Sequence, residues 1–295
     1  MKYIITGSLG HISKPIATAL VKAGHDVSVI TSSSDRVKEI EQLGAKALVG
    51  SLTDDSFLSK SFKGADAIYL MIPPSFTAPD YRAHQNEVAA AYVKALQSTR
   101  VPNAVVLSSI GAHLGNGAGP IDGVADLEKA LSALKDINLK FLRPSYFFNN
   151  LLAQIGLIKN LNIAGSNFGI TEEKLVLTDT NDIADVAIEE LLALNFKGQS
   201  VRYIASDERH PNEIAEVLSN AVGKKDVLWV TFTDEQALDG MLKAGVPNTI
   251  AEAYTTMGKA IREGLVQEDY WKNKPQLGKT KLEDFAKQFA LAYNN

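Results

Sequence analysis

Residues Lys2 to Gly24 constrain this chain more than any other stretch. A short apolar run with β-branched character, Tyr3-Ile4-Ile5-Thr6, meets Gly7-Ser8-Leu9-Gly10-His11-Ile12-Ser13, after which Ile12, Ile16 and Leu20 recur at helical spacing. The order is strand, glycine turn, helix. Glycines in such a turn let the backbone bend tightly and pass close to a pyrophosphate, which the free N–H groups at a helix N-terminus can hold. A third glycine ordinarily stands where the helix packs on the strand, and Ser13 occupies that place. A second strand, His25 to Thr31, follows at the distance a βαβ unit needs. The stretch reads as a phosphate cradle for a dinucleotide.

The rest of the chain sets the bounds. With 295 residues, 45% of them hydrophobic, there is material for one large domain or a domain and a half around a core. A net charge of -4 supplies no basic footprint for nucleic acid, so no nucleic-acid partner is expected. The sequence has no cysteine, which excludes disulfides, zinc thiolates and a thiol nucleophile together. No metal-ligand spacing, repeat or low-complexity segment is present, and no metal is expected. No apolar run approaches a membrane span. The chain opens on a strand without a basic-then-apolar leader, and the expected location is cytoplasmic.

Beyond the turn, the second strand ends in Thr31-Ser32-Ser33-Ser34-Asp35-Arg36. A site that prefers NAD usually places a carboxylate here for the ribose 2′-hydroxyl. Thr31, Ser32 and Arg36 instead suit a 2′-phosphate, which makes NADP(H) the preferred cofactor and NAD(H) the second. The same residues also read as a serine-rich loop in which Asp35 caps the next helix. That helix, about Asp35 to Leu43, leads to a strand at Lys46 to Val49 and an amphipathic helix ending at Phe62. Ala65 to Ile72 is continuously apolar, as a parallel strand buried on both faces should be, and Pro73-Pro74 stops it. Strand ends at this edge face the ligand crevice, so Ile72 and Pro73 are expected to line the cofactor.

A long helix, Arg82 to Ser98, packs through Val88, Tyr92, Ala95 and Leu96, with His84 on its polar side and expected to be solvated. The fifth strand, Ala104 to Leu107, ends in Ser108-Ser109. A hydroxyl there can bond a substrate oxygen beside the nicotinamide, or can equally satisfy the loop backbone. Gly111 to Gly119 reads as a mobile loop over the site, and it carries His113. In the next helix, Gly123 to Leu131, short-chain dehydrogenases place a tyrosine and a lysine four residues apart, the cation lowering the phenol pKa. Lys129 is present, but Ala125 stands at the tyrosine position. Lys129 can bond the nicotinamide ribose, or can be a solvated lysine beside Glu128.

Several runs together resemble the NmrA-like family of atypical short-chain dehydrogenases, nearest its quinone oxidoreductase and triphenylmethane reductase branch. They are the Thr6–Ser13 turn, Ser108-Ser109-Ile110, Asp126 to Leu131, Phe141-Leu142-Arg143-Pro144-Ser145-Tyr146-Phe147-Phe148-Asn149-Asn150, Thr178 to Ala184 and Ala244-Gly245-Val246-Pro247. The resemblance implies an α/β fold: a Rossmann-type doubly wound parallel sheet over 1–145, completed by a strand at 200–206, with a smaller α/β substrate domain mainly over 146–295 closing on a cleft. It implies that Gly7, Leu9, Gly10, His11 and Ile12 contact the pyrophosphate, that Lys129 contacts the nicotinamide ribose, and that Tyr146, Phe147 and Phe148 shape the nicotinamide face and substrate pocket. The cofactor set also includes Ser108 and Tyr146, and His113 and Asn149 are added on the substrate side. Three positions depart from the branch pattern. Thr31-Ser32 stand where an arginine is common, Ser51 where an aspartate is usual, and Ser13 where the third glycine belongs.

The implied reaction is hydride transfer from NADPH to a small-molecule acceptor, quinone-like or another electron-poor aromatic. Such an acceptor stabilises the charge it receives and can take its proton from water, so a chain without the tyrosine can still reduce it. Tyr146, Lys129 and Ser109 form the expected catalytic set, with Tyr146 bonding the acceptor oxygen. The missing tyrosine equally suits a non-catalytic NADP(H)-binding redox sensor acting through a protein partner. A sugar-nucleotide epimerase would ordinarily keep that tyrosine. A homodimer is left open.

The C-terminal portion reads as a helix from Asn181 to Leu194 capped by its asparagine and a strand at Val201 to Ala205. A helix opened by Pro211 and a strand at Leu228 to Phe232 follow, then helices at Asp234 to Ala244 and Leu282 to Tyr293. Tyr254, Met257 and Trp271 read either as a pocket wall or as core.

Overall fold

Apolar runs too short for helices alternate with amphipathic segments, and in the computed structural model, which describes residues 1–169 and 174–295, they become strands separated by helices. In chain order they are β1 (Lys2–Ile5), α1 (Ser13–Lys22), β2 (Asp26–Thr31), α2 (Val37–Gln42), β3 (Lys46–Val49), α3 (Asp55–Phe62), β4 (Ala67–Leu70), α4 (Tyr81–Thr99), β5 (Asn103–Leu107), α5 (Pro120–Ser132) and β6 (Asn138–Pro144). There follow β7 (Tyr146–Phe147), α6 (Gln154–Leu161), β8 (Ile163–Ser166), β9 (Leu175–Thr178), α7 (Thr180–Ala193), β10 (Gln199–Ile204), β11 (Asp207–Arg209) and α8 (Pro211–Ala221). The chain closes with β12 (Leu228–Thr231), α9 (Asp234–Lys243), α10 (Asn248–Arg262), α11 (Glu268–Lys272) and α12 (Leu282–Asn294).

Seven strands form one sheet in the order β10-β6-β5-β4-β1-β2-β3, and every pairing from β3 to β6 is parallel. This is the Rossmann-type arrangement, with its order reversing beside β1. The inner strands β1, β2, β4 and β5 are buried on both faces, as their Val, Ile, Leu and Tyr runs require, while the edge strands β3 and β10 are partly exposed. On the α3 and α4 side, Ile4, Ile68, Leu70, Val88, Tyr92, Ala95 and Leu96 share one apolar cluster with Leu58 and Phe62.

Two compact units make up the chain, one of Met1–Ser109, Gly123–Arg143 and Ile183–Arg202, the other of Ile110–Asp122, Pro144–Asp182 and Tyr203–Asn295. The boundary at 145/146 read from the sequence is therefore crossed in both directions. Most of α7 belongs to the first unit because Tyr3, fully buried on β1, donates its hydroxyl to the Leu191 carbonyl at 2.9 Å. In the second unit β11-β9-β7 form a three-stranded sheet and β12-β8 a parallel pair, while Phe148 stacks on Phe285 of α12 with ring centroids 5.5 Å apart.

Three local expectations are corrected. Ser33, not Asp35, caps the turn after β2: its Oγ accepts from the Asp35 N–H at 3.2 Å. Asp179 takes the role assigned to Asn181, whose N–H donates to Asp179 Oδ1 at 2.8 Å. Gly111 to Gly119 is no loose lid. The Asp122 carboxylate accepts from the Gly117 and Ala118 amides at 3.1 and 2.8 Å, and a Cβ at Gly119 would lie 2.0 Å from the Ala253 carbonyl oxygen. Among the described residues, no helix is long and apolar enough to cross a membrane.

Within the second unit Arg262 of α10 grips Asp234 of α9 through two nitrogens at 2.8 and 2.9 Å, and Asn167 Nδ2 donates to the same carboxylate at 2.8 Å. The Arg262 hydrogen bonds, followed by that of Asn167, hold the Asp234 carboxyl down from 3.8 to about 2. A carboxyl lowered on folding contributes stability above its unfolded pKa and loses it as the pH falls through the folded one. The melting-temperature difference between wild type and D234N should therefore be full at neutral pH and shrink as the pH drops from 3.8 to about 2. A difference that stays constant over that window would remove the ion pair from the acid-stability account.

Candidate functional site

The turn between β1 and α1 is built for close approach. Gly7 adopts φ +88° and Ser8 φ +54°, both in the left-handed region, and Gly7 is where only a glycine fits. A Cβ there would lie 2.6 Å from Ser13 Oγ and 2.9 Å from Met71 Sδ. Ser13 in place of the third glycine thus has a structural account: its buried hydroxyl donates to the Thr6 carbonyl at 2.8 Å and fills the space over Gly7.

Backbone hydrogen bonds fix the turn while leaving part of it open. The Ser8 N–H donates to the Ile30 carbonyl at 3.1 Å, and the Gly10 N–H to Gly7 at 3.2 Å. The amides of Leu9, His11, Ile12 and Ser13 make no hydrogen bond among the described residues, and α1 has neither a side-chain cap nor an acidic residue in its first turn. Unpaired amides at a helix start, with no carboxylate competing for them, form an anion-binding site.

Beside this turn, in the first unit, lies a cavity of about 300 Å³. Gly7 and Ser8 open it, Ile30, Leu52, Pro73 and Val88 supply apolar walls, and Thr31, Ser32, Ser51 and Thr53 bring hydroxyls; Gly50 and His84 complete the lining. No carboxylate is among these residues. Of the residues expected at the cofactor, Thr31, Ser32 and Pro73 line this cavity. Ile72 does not line the cavity and packs on the apolar cluster. Arg36 also lies outside it, exposed and paired with Glu39 at 2.8 Å, a carboxylate that Lys14 reaches as well. His84, read as a solvated helix residue, is a lining residue instead. Its signal in the sequence is its place one helical turn before the buried Val88.

The tip of β5 and the following helix also differ from expectation. Glu128, the neighbour of Lys129 in the sequence, is 8% exposed. It accepts from Arg143 Nε at 3.0 Å and Nη2 at 2.7 Å, and from the Ser108 hydroxyl. Ser108 is thus committed to a buried carboxylate rather than to a ligand. Ser109 is partly exposed and makes no hydrogen bond among the described residues. Lys129 is exposed and, after Arg82 and Asn86, helps hold the Asp126 carboxyl below its usual range; Ala125, at the tyrosine position, is buried.

In the second unit Tyr146 is partly exposed at its ring, which lies 5.4 Å from that of Phe168, itself 5.8 Å from Trp229. Desolvation, and after it Tyr254, pushes the Tyr146 phenol well above its usual value, so it stays protonated and can donate or accept a hydrogen bond. Phe147 and Asn149 are partly exposed, whereas Phe148 is fully buried against Phe285 and is core, which corrects its placement on a pocket wall. His113 is half-buried and, after Lys272, helps hold the Glu268 carboxyl below its usual range. Trp271 meets Tyr270 edge-on at 5.0 Å.

The NmrA-like family model matches residues 2–286. An NAD(P)H azoreductase of Xenophilus azovorans is 24% identical over 252 residues, which cover 85% of this chain and 84% of that protein. Among solved structures, the NADPH-dependent quinone oxidoreductase of Escherichia coli complexed with NADPH superposes with a TM-score of 0.81 at 16% identity, covering 97% of this chain and 99% of that one. The triphenylmethane reductase of Citrobacter sp. complexed with NADP(H) superposes with a TM-score of 0.78 at 20% identity, covering 97% and 99%. At these identities the two superpositions speak for the fold.

Proposed function

We propose, from the premise that this chain belongs to the NmrA-like family, that it is an NADP(H)-dependent oxidoreductase that reduces a flat, electron-poor acceptor such as a quinone. The observation that carries the reading is the glycine turn, where the unpaired amides of Leu9, His11, Ile12 and Ser13 start a helix beside a cavity free of carboxylates. A pyrophosphate suits those amides. A lining of Thr31, Ser32, Ser51 and Thr53 hydroxyls without Asp or Glu accepts a 2′-phosphate without repulsion, which favours NADP(H) over NAD(H). Relatives named as an NAD(P)H azoreductase, a quinone oxidoreductase and a triphenylmethane reductase support the same class.

Bound NADPH supplies the hydride. The chain supplies orientation and a pocket shielded from water, which are the larger parts of such a site. Lys129, exposed and without a hydrogen-bond partner among the described residues, is assigned to the nicotinamide ribose. Tyr146 is assigned to the acceptor oxygen as a neutral donor, with Phe147 beside it. Ala125 removes the usual proton donor, which restricts the acceptors to those whose reduced form takes its proton from water.

Titration with NADPH and NADH, followed by loss of NADPH absorbance with a panel of quinones and azo dyes, tests the proposal. Tighter NADPH binding and steady turnover are expected. Tight binding without turnover on any acceptor would select the redox-sensor reading in its place. Y146F should lower kcat with a quinone by about tenfold, the worth of one neutral hydrogen bond to the acceptor oxygen. An unchanged kcat would take Tyr146 out of the acceptor site.

A further inference from the structure

The geometry points to His84 as the residue that reads the base of the bound dinucleotide, its Nε2 accepting a hydrogen bond from the exocyclic amine of adenine. This rests on the reading of the cavity as a nicotinamide-dinucleotide site. Two chemistries line the cavity: Ile30, Leu52, Pro73 and Val88 offer the apolar contact that a heterocyclic base takes, and Thr31, Ser32, Ser51 and Thr53 offer hydroxyls.

Three of those hydroxyls, on Thr31, Ser51 and Thr53, are engaged locally. Thr31 Oγ1 accepts from Ser8 Oγ at 3.1 Å and from the Ser33 N–H at 3.2 Å. Ser51 Oγ accepts from the Thr53 N–H at 3.2 Å and shares a 2.8 Å hydrogen bond with Thr53 Oγ1. His84 differs from them. Its imidazole makes no hydrogen bond among the described residues, and its charged neighbour is Glu87, whose Oε2 stands 4.0 Å from His84 Nδ1. A carboxylate on that side favours the Nδ1–H tautomer and leaves the lone pair on Nε2.

The helix then aims this acceptor. His84 precedes Val88 by one turn on α4, so the two present to the same face, and both line the cavity. The His84 side chain is 32% exposed, covered enough for a hydrogen bond to count and open enough for a ligand to reach. Adenine offers an amine donor at its edge, which a neutral imidazole nitrogen matches. A carboxylate would match it too, but would set a negative charge in a cavity that must also take a 2′-phosphate. His84 reads the amine without that repulsion.

The test compares reduced NADPH with its hypoxanthine analogue, in which a carbonyl oxygen replaces the amine, by calorimetric titration of wild type, H84L and H84Q. Melting curves without ligand check that each variant folds, and H84F carries the comparison should H84L lose its cooperative melt. Wild type should prefer NADPH by about three- to tenfold, the worth of one neutral hydrogen bond. H84L should lose that preference by binding NADPH more weakly, with the analogue unchanged. H84Q, whose amide oxygen can accept in place of Nε2, should recover it. A wild type without the preference, or an H84L that keeps it, overturns the assignment of His84. A wild type that binds neither NADPH nor NADH overturns instead the reading of the cavity on which the assignment rests.

Discussion

Substituting alanine for Gly7 should cost the protein about 2 to 4 kcal/mol of stability, from a left-handed backbone that an L side chain resists together with overpacking, and should lower NADPH affinity by roughly a hundredfold or more, because a misplaced turn loses several charge-assisted contacts together. The added Cβ would fall 2.6 Å from Ser13 Oγ and 2.9 Å from Met71 Sδ, at a residue whose φ is +88°. The nearer of the two cannot yield freely, since Ser13 Oγ is held by the Thr6 carbonyl at 2.8 Å. The turn must shift, and with it the amides of Leu9, His11 and Ile12. A second substitution separates the two contributions. S13A alone gives up the buried bond to Thr6, yet in the G7A background it also removes the nearest clash, so the double variant should be more stable than the two single losses added together. Its NADPH affinity should stay low, because the backbone at residue 7 is still strained. Urea unfolding reads the first quantity and calorimetry the second. A G7A protein that melts normally and binds NADPH within threefold of wild type would detach this turn from the cofactor.

What the sequence reveals of this molecule follows the range over which the responsible interactions act. The strand, glycine turn and helix from Lys2 to Lys22 are legible because each of their constraints, the apolar run, the left-handed glycine and the helical spacing of Ile12, Ile16 and Leu20, lies within a few residues. Serine at position 13 looks like damage to the motif until its bond to Thr6 is seen. Glu128 is illegible for a different reason. In Asp126-Leu127-Glu128-Lys129 it reads as one charge among others on a wet helix face, and only β6, which brings Arg143 against it, makes it a buried group. His84 is marked only by its place one helical turn before Val88, and a polar helix position facing a cavity otherwise has the same pattern as one facing solvent. Phe148 sits in the run that resembles a substrate pocket, but Phe285, far along the chain on α12, claims its ring for the core. The exchange of segments between the two units is likewise decided by distant pairs such as Tyr3 with Leu191.

Removing the Glu128 carboxylate should be among the most damaging single changes in the first unit, at about 3 to 5 kcal/mol, the cost of leaving a buried cation without its partner. Both side chains of the Glu128–Arg143 pair are 11% exposed, and the guanidinium meets the carboxylate through two nitrogens. In E128A the Arg143 charge and the Ser108 hydroxyl lose their acceptor together. E128Q keeps the shape and one acceptor oxygen, so its loss should be smaller, about 1 to 3 kcal/mol for hydrogen bonds that no longer involve an anion. The decisive variant removes both charges. E128L/R143M replaces the pair with apolar groups of similar volume and takes away the desolvation penalty along with the attraction, so it should unfold close to wild type and well above E128A. Denaturant midpoints at unchanged slope read all three. If E128A costs less than about 1 kcal/mol, the pair behaves as a surface bridge and its burial is refuted. If the double variant is as poor as E128A, the carboxylate contributes through Ser108 and the β5 tip, and the cost is that of an orphaned hydroxyl and a disturbed strand end, not of an unpaired cation.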